Sequence, residues 1–282
     1  MPVSAGTLST LAASHDIISL GIAADEARRA RHGNSTTFVR VVEVDRQPGA
    51  AMSIPPGAGE LRIVGAPVSR AAAIQRVTEV VGVATGKPVS GYSLADLEEL
   101  AGREQVTLRD LLEQLNAAGL ELVAEAPFDR LRNAKRSIEE VNIAGLRLAR
   151  LTIHQLPTDD VAALYTQIAA LQYDVGVIPA FAPLPRKVNP AIPTTGYDDV
   201  KRVALARVFL EDLPSIQVDW SLYGPKLAQV ALTVGADDID GVSAIDDLSE
   251  GRRRAPLEEI RRNVRAAGFE PIERDGRFDL IA

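Results

Sequence analysis

Runs of β-branched and apolar residues alternate with amphipathic segments at similar spacing along the chain. The apolar runs predict strands at 36–44, 60–66, 87–93, 120–124, 146–156, 174–181 and 216–222. Apolar residues at helical spacing predict helices between most of them, at 71–81, 96–100, 107–119, 138–144, 158–171 and 197–213. The stretch 223–241 adds a helix and an eighth strand, and a helix at 258–267 follows. This alternation is typical of an α/β fold with a parallel (β/α) barrel.

Two stretches depart from the alternation. Residues 4–32 predict one helix, so we expect 1–35 to form an N-terminal helix packed on a single barrel domain, 36–282, with a C-terminal helical tail. Residues 46–59 are rich in proline and glycine and show no helical period. A parallel strand pair normally needs a helix-bearing crossover. The composition of 46–59 therefore predicts a barrel wall that is thin or open beside the first strand. A second proline-rich loop, at 182–195, has the length of an active-site lid.

Composition and charge exclude several classes of protein. The chain has 282 residues, of which 46% are hydrophobic, and this is enough to bury a large core. A net charge of -7 argues against a nucleic-acid partner. No apolar run reaches membrane-spanning length and the N-terminus lacks a signal-peptide pattern, so we expect a cytoplasmic protein without a membrane span.

The chain contains no cysteine. This removes disulfides, thiolate nucleophiles and any Cys-ligated iron–sulfur cluster. The three histidines, His15, His32 and His154, are far apart in sequence, and their spacing does not indicate a metal site. We therefore predict no metal. Capping and core packing are the favoured roles of His15 and, by a small margin, of His32.

Three stretches resemble a known family. Residues 223–241, YGPKLAQVALTVGADDIDG, closely resemble the C-terminal signature of aminofutalosine synthase, a radical S-adenosylmethionine (SAM) enzyme of the futalosine route to menaquinone. Residues 15–34, HDIISLGIAADEARRARHGN, resemble the family's N-terminal helix, and ELRIVGA at 60–66 resembles its strand ending in Val-Gly-Gly. The resemblance implies a (β/α) barrel of radical-SAM type.

The sequence departs from the family pattern at two places. The segment 46–59 stands where the family has its three-cysteine cluster loop and first crossover helix, so both are missing. Ala124, Glu125 and Ala126 stand where the family has a glycine triplet that lets the backbone approach SAM. The resemblance therefore implies a truncated relative without cofactors: no 4Fe-4S cluster, and SAM is not expected to bind.

In such barrels the site lies at the C-terminal ends of the strands. We select His154, Glu125 and Asp219 as catalytic candidates, because a histidine and two carboxylates can transfer protons near neutral pH. A satisfied polar side chain at a strand end explains His154 equally well, and a loop carboxylate such as Glu125 is more often solvated. Arg186 and Lys187 could meet a carboxylated substrate, although exposure is favoured. The ligand-binding candidates are Glu43, Ser90, Tyr92, Gln155, Asp238 and Asp240.

Three functions remain open from the sequence. The favoured one is a non-catalytic or regulatory paralogue that binds a small molecule of the menaquinone pathway or a catalytically complete homologue, with oligomers allowed. The alternative is a non-radical enzyme of lyase or hydrolase type that acts on a small aromatic or nucleoside substrate. A structural subunit would instead have a filled barrel without a cavity.

Overall fold

The computed structural model describes residues 5–155, 160–187, 194–246 and 255–281. Within these ranges the chain forms ten strands and ten helices. The strands are β1 (Ser35–Asp45), β2 (Glu60–Val64), β3 (Val89–Ser93), β4 (Leu122–Pro127), β5 (Arg147–Leu148), β6 (Leu151–Ile153), β7 (Ala180–Pro185), β8 (Ser215–Asp219), β9 (Asp238–Ser243) and β10 (Glu270–Arg274). The helices are α1 (Ala5–Ala13), α2 (Ile17–His32), α3 (Arg70–Val83), α4 (Leu94–Arg103), α5 (Leu108–Ala117), α6 (Ala134–Ile143), α7 (Val161–Val175), α8 (Gly196–Phe209), α9 (Trp220–Leu232) and α10 (Pro256–Ala266).

Eight parallel strands close into a barrel in the order β1-β2-β3-β4-β6-β7-β8-β9, with β9 pairing back onto β1. This confirms the predicted (β/α) barrel. Two short strands lie outside the ring: β5 extends the pairing of β4, and β10 pairs with the first half of β1, from Ser35 to Val39. Helices cover the outside, where apolar side chains of α4 and α5 such as Leu97, Leu100 and Leu112 are fully buried against the strands.

The connection 46–59 contains no helix, as the sequence predicted, but the expected opening beside the first strand is wrong. β1 and β2 pair directly over five residues, from Val41 with Glu60 to Asp45 with Val64. Main-chain pairing closes the wall here, and the loop is held from outside because Arg76 of α3 donates to Asp45 O (2.7 Å) and Ala50 O (3.1 Å).

Several predicted boundaries are corrected by local capping. The single helix expected at 4–32 is two helices, because Asp16 accepts a hydrogen bond from Ser19 N and starts α2 as its N-cap. The sixth strand begins at Ala180, not at 174, since Gly176 ends α7 in a left-handed conformation. The seventh strand stops at Asp219, which caps α9. The fifth strand is divided into β5 and β6.

The proline-rich loop predicted at 182–195 lies partly outside the described residues, and its first four residues belong to β7. The start of the helix predicted at 158–171 also lies outside them. Within the described ranges, no helix is long and apolar enough to cross a membrane.

Helix α2 is attached to the barrel by its basic C-terminal turn. The buried Arg28 donates to Ala236 O (2.9 Å) and lies 3.7 Å above the ring centre of Phe269. His32 Nε2 lies 3.1 Å from Pro214 O and 3.4 Å from a carboxylate oxygen of Asp237. Both histidine contacts are structural, in line with the packing role favoured from the sequence.

Candidate ligand-binding site at the barrel mouth

The interior of this barrel is polar. Such barrels are usually filled by layers of branched apolar side chains. Here, inward-facing polar residues bond to one another across the barrel axis: Thr37, Glu60, Arg62, Ser90, Arg150, Gln217, Asp238 and Asp240.

At the N-terminal end of the barrel, Asp238 of β9 binds Arg274 of β10. Nε and Nη2 of Arg274 each donate to the Asp238 carboxylate across 2.6 Å. Thr37 and Gln217 donate to the same carboxylate, across 2.5 and 2.7 Å. Because both charged side chains are almost completely buried, this pair fastens β10 to the barrel.

Halfway along the barrel, Arg62 of β2 joins two carboxylates. Its guanidinium donates to both oxygens of Glu60 (2.8 Å each) and to both oxygens of Asp240 (2.9 and 2.8 Å). Ser90 Oγ donates to Glu60, and Arg150 Nη1 donates to Asp240. The result is a buried layer of charge-assisted hydrogen bonds contributed by β2, β3, β9 and the residue before β6.

This layer fixes the charge of its carboxyl groups. Burial acts to raise the pKa of Asp240, but the guanidinium groups of Arg150 and Arg62 outweigh burial and hold that pKa well below its usual range. Burial opposes Arg62 in the same way at Glu60, whose pKa is also lowered. Both groups are therefore carboxylates at neutral pH.

At the mouth of the barrel, Arg186 bridges two of the predicted catalytic residues. Its Nε donates to Glu125 (3.0 Å) and its Nη1 to Asp219 (2.5 Å). Asp219 also accepts from Ser221 Oγ (2.7 Å) and Leu222 N (3.0 Å). The expected exposure of Arg186 is wrong, because only 14% of its side chain is exposed.

A cavity of about 380 Å³ lies at this mouth, a volume typical of small-molecule sites. It brings together three predicted catalytic residues and two predicted ligand-binding residues, Glu43 and Tyr92, with cations of the barrel and of the loop after β7. Its wall includes Glu43, Glu125, Arg150, His154, Lys187 and Asp219.

His154 is held in place through its backbone. Asp129, in the turn after β4, accepts hydrogen bonds from the main-chain nitrogens of His154 and Gln155, each across 2.7 Å. Lys187 N donates to His154 O (2.8 Å), so the loop after β7 also contacts this segment. Within the described residues the imidazole ring makes no hydrogen bond, so its nitrogens remain available to a ligand.

Four of the predicted ligand-binding residues do not line the cavity. Ser90, Asp238 and Asp240 belong to the buried layers below it, and Gln155 is exposed beside His154. Tyr92 borders the cavity, but its hydroxyl donates to Ala73 O (3.3 Å) in helix α3 outside the barrel. Its φ of +61° is unusual for a bulky residue and marks a locally strained end of β3.

Two interior arginines, Arg62 and Arg150, were missed as site residues. A period-two pattern in 60–66 and 146–156 places both on the face of their strands that turned out to line the barrel. Sequence alone gives no reason to bury a cation there, because the partners lie on distant strands. Within the described ranges, no group of three or more metal-ligating side chains lies close enough to hold a metal ion.

Comparison with known proteins agrees with this architecture. Residues 184–281 match the family model described as the CofH/MqnC C-terminal region. Aminodeoxyfutalosine synthase of Thermus thermophilus is 28% identical over 227 residues, which cover 68% of this chain and 60% of that protein. A 5-amino-6-(D-ribitylamino)uracil–L-tyrosine 4-hydroxyphenyl transferase of Archaeoglobus fulgidus is 34% identical over 127 residues, 40% of this chain and 37% of that protein.

Two solved structures share the whole fold. Methylornithine synthase (PylB) superposes with a TM-score of 0.69 at 12% identity and covers 96% of this chain and 94% of that chain. HydG from Carboxydothermus hydrogenoformans superposes with a TM-score of 0.66 at 11% identity, over 96% of this chain and 76% of that chain.

The closed parallel barrel therefore has the same fold as these two solved structures. In sequence, the cysteine-free chain is similar to aminodeoxyfutalosine synthase, and the stretch 223–241, which carried the predicted resemblance, lies inside the region matched by the CofH/MqnC C-terminal model. It spans about 60% of the length of the Thermus protein.

Proposed function

We propose that this protein binds a small molecule at the barrel mouth and does not carry out radical SAM chemistry. The relatives named aminodeoxyfutalosine synthase make a small molecule of the menaquinone pathway the first ligand to test. On this proposal the protein is a cytoplasmic, ligand-binding or regulatory paralogue. It acts alone, as an oligomer, or with a catalytically complete homologue.

The donor set of the chain does not fit an iron–sulfur cluster. Such clusters are held by cysteine thiolates, and the chain contains none. At the end of β4, Glu125 places a carboxylate paired with Arg186 where the family resemblance expects a glycine beside SAM. We therefore propose that neither group is bound.

The observation that carries the binding proposal is the double pairing of Arg186. A general base needs a carboxylate or imidazole free to accept a proton. Arg186 engages both Glu125 and Asp219, and Asp219 is also the N-cap of α9, so neither carboxylate is free for that role. A cavity walled by paired charges is better suited to recognising a ligand than to moving protons.

A non-radical enzyme is the second candidate, because the ring of His154 lines the cavity without a hydrogen-bond partner in the described part of the chain. As the base of a lyase or hydrolase it would act on a small aromatic or nucleoside substrate. A purely structural subunit would have a filled barrel, and the cavity at the mouth does not fit that expectation.

The test is a calorimetric titration of the purified protein with SAM and with aminodeoxyfutalosine, followed by chromatography of each mixture for turnover. We expect binding of the pathway molecule, no heat with SAM and no product. His154→Ala should weaken binding, whereas His15→Ala, far from the cavity, should leave it unchanged. Turnover abolished by His154→Ala would favour the enzyme. Absence of binding by both molecules would remove the support for a pathway ligand.

A further inference from the structure

Two polar side chains inside the barrel each have a buried oxygen without a partner. Oγ1 of Thr152, on β6, and Oε1 of Gln217, on β8, make no hydrogen bond within the described residues. Thr152 is 0% exposed and Gln217 is 2% exposed. Because buried polar atoms in native proteins are nearly always paired, each oxygen indicates a partner other than the side chains and main chain of the described residues.

The strand register places both side chains at one level of the barrel wall. Thr152 pairs with Ala182 of β7, the strand between β6 and β8. Phe181 pairs with Ile216 of β8, so Ala182 lies opposite Gln217 one residue further along. Phe181 packs edge-on against a ring of α7 outside the barrel, and successive residues of a strand face opposite sides. Ala182 therefore faces the interior, between the two unpaired oxygens.

The alanine leaves a recess in the inner wall. Neighbouring strands lie about 4.8 Å apart, so the Cα atoms of Thr152 and Gln217, two strands apart, are separated by about 9.6 Å. The side chain between them is the methyl group of Ala182, at a position where such barrels usually carry a branched apolar residue. Since both polar side chains are almost completely buried, this recess is enclosed and separate from the open cavity at the mouth.

The donors and acceptors at the recess select the kind of molecule that fits. Nε2 of Gln217 donates to Asp238 (2.7 Å), which leaves Oε1, an acceptor only, as the unpaired atom of the amide. Arg150 precedes Thr152 by two residues on the same strand face, and its unpaired Nε can only donate. A cation would leave the arginine donor unpaired, and an anion would leave the amide oxygen unpaired. Water serves both, because it donates and accepts.

We propose that the recess is a buried water site, in which water donates to Oε1 of Gln217, bonds to the hydroxyl of Thr152 and accepts from Nε of Arg150. Buried waters typically make about three hydrogen bonds to polar groups that lack other partners. Water at this position joins the Asp238 pair at the N-terminal end of the barrel to the layer of Arg150 and Asp240. The site is independent of any ligand at the mouth.

The direct test is a crystal structure of the ligand-free wild-type protein at a resolution that shows ordered waters. We expect electron density for water about 2.6–3.2 Å from each of the two unpaired oxygens, Thr152 Oγ1 and Gln217 Oε1. An empty recess would overturn the inference. Density that contacts several oxygens at about 2.3–2.4 Å would identify a metal cation and would overturn it as well. Failure of every pathway molecule to bind at the mouth would leave this inference standing, because the density is read without ligand.

Variants of Thr152 test whether its hydroxyl holds the water. Thr152→Val keeps the shape of the side chain, and it should remove the adjacent density and raise the equilibrium constant for unfolding about five- to tenfold, the effect of one lost hydrogen bond. If the hydroxyl were dry and unpaired, the valine variant would be equally or more stable, and the inference would fail. Thr152→Ser should retain the water. Thr37→Val, which loses a direct hydrogen bond to Asp238 (2.5 Å), sets the scale of the loss. If Thr152→Val does not fold, the wild-type density decides alone.

Discussion

Replacing Asp240 by asparagine tests whether the polar layer inside the barrel is a structural unit. The side chain is 1% exposed and accepts two bonds from Arg62 and one from Arg150. Asp240→Asn keeps the shape but removes the charge. Arg62 would still be paired with Glu60, whereas Arg150 would lose its one carboxylate partner in the described part of the chain.

The expected cost follows from leaving a buried cation unpaired. Removing one partner of a buried ion pair typically lowers the free energy of unfolding by about 3–5 kcal/mol. The unfolding entropy is about 2.1 cal/mol/K per residue. For a chain of 282 residues, each kcal/mol lost from the free energy of unfolding therefore lowers Tm by about 1.7 °C. Asp240→Asn should therefore lower Tm by about 5–8 °C.

Calorimetric melting at pH 7 measures the change in Tm, and urea unfolding at the same pH measures the change in the free energy of unfolding. Asp174→Asn is the matched control, since Asp174 is 45% exposed and pairs with the exposed Lys135, and surface pairs contribute about 0–1 kcal/mol. The double variant Asp240→Asn with Arg150→Met should recover part of the loss, because the unpaired cation is gone. A loss below about 1 kcal/mol, or no recovery in the double variant, would refute the reasoning.

Three further predictions concern other contacts. Burial and the charge of Arg207 lower the pKa of His32 to about 4, below its ordinary value of 6.5. The free energy of unfolding should therefore be highest above pH 6.5 and fall by up to about 3 kcal/mol as the pH drops to 4. Urea unfolding at a series of pH values measures this loss. Gly235→Ala should cost at least about 2 kcal/mol, because φ is +112° and a Cβ would lie 2.6 Å from Arg207 Cβ. Asp129→Ala should weaken ligand binding about five- to tenfold by releasing the backbone of His154.

Each of these has a control. His32→Gln should flatten the pH dependence between pH 6.5 and 4, and an unchanged slope would contradict the assignment to His32. Gly82→Ala, in α3 with no atom near the added Cβ and no positive φ, should be neutral or slightly stabilising. Asp129→Asn keeps an acceptor and should retain more affinity than Asp129→Ala; equal loss in both would count against a positioning role.

Much of the barrel could be read from local sequence. The β-branched run 36–44 and the capped, leucine-rich helix after Thr107 specify β1 and α5 by their own periodicity. The predicted ends of helices and strands were wrong where a single residue terminates an element, as Gly176 terminates α7 and Asp219 terminates β8. Those residues act through backbone conformation and capping, which the hydrophobic period does not report.

The candidate site was predicted only in part. His154, Glu125 and Asp219 lie together at the cavity because each follows or ends a parallel strand, and strand ends meet at one mouth. Asp238 and Asp240 were expected to bind a ligand at the strand ends, yet both are buried in the barrel interior. Their arginine partners come from β2, β10 and the residue before β6, up to 178 residues away.

The sequence by itself therefore determined the alternation of strands and helices and the missing crossover helix. It also determined the similarity to aminodeoxyfutalosine synthase and the absence of cysteine. All four depend on local pattern and composition. Only the tertiary structure decided that β1 and β2 pair without a crossover helix and that Arg186 engages two predicted catalytic carboxylates. It also decided that Arg150 is buried with Nε unpaired among the described residues. The physical reason is that pairing energy, burial and the field at a charge depend on which distant residues barrel closure brings within a few ångströms.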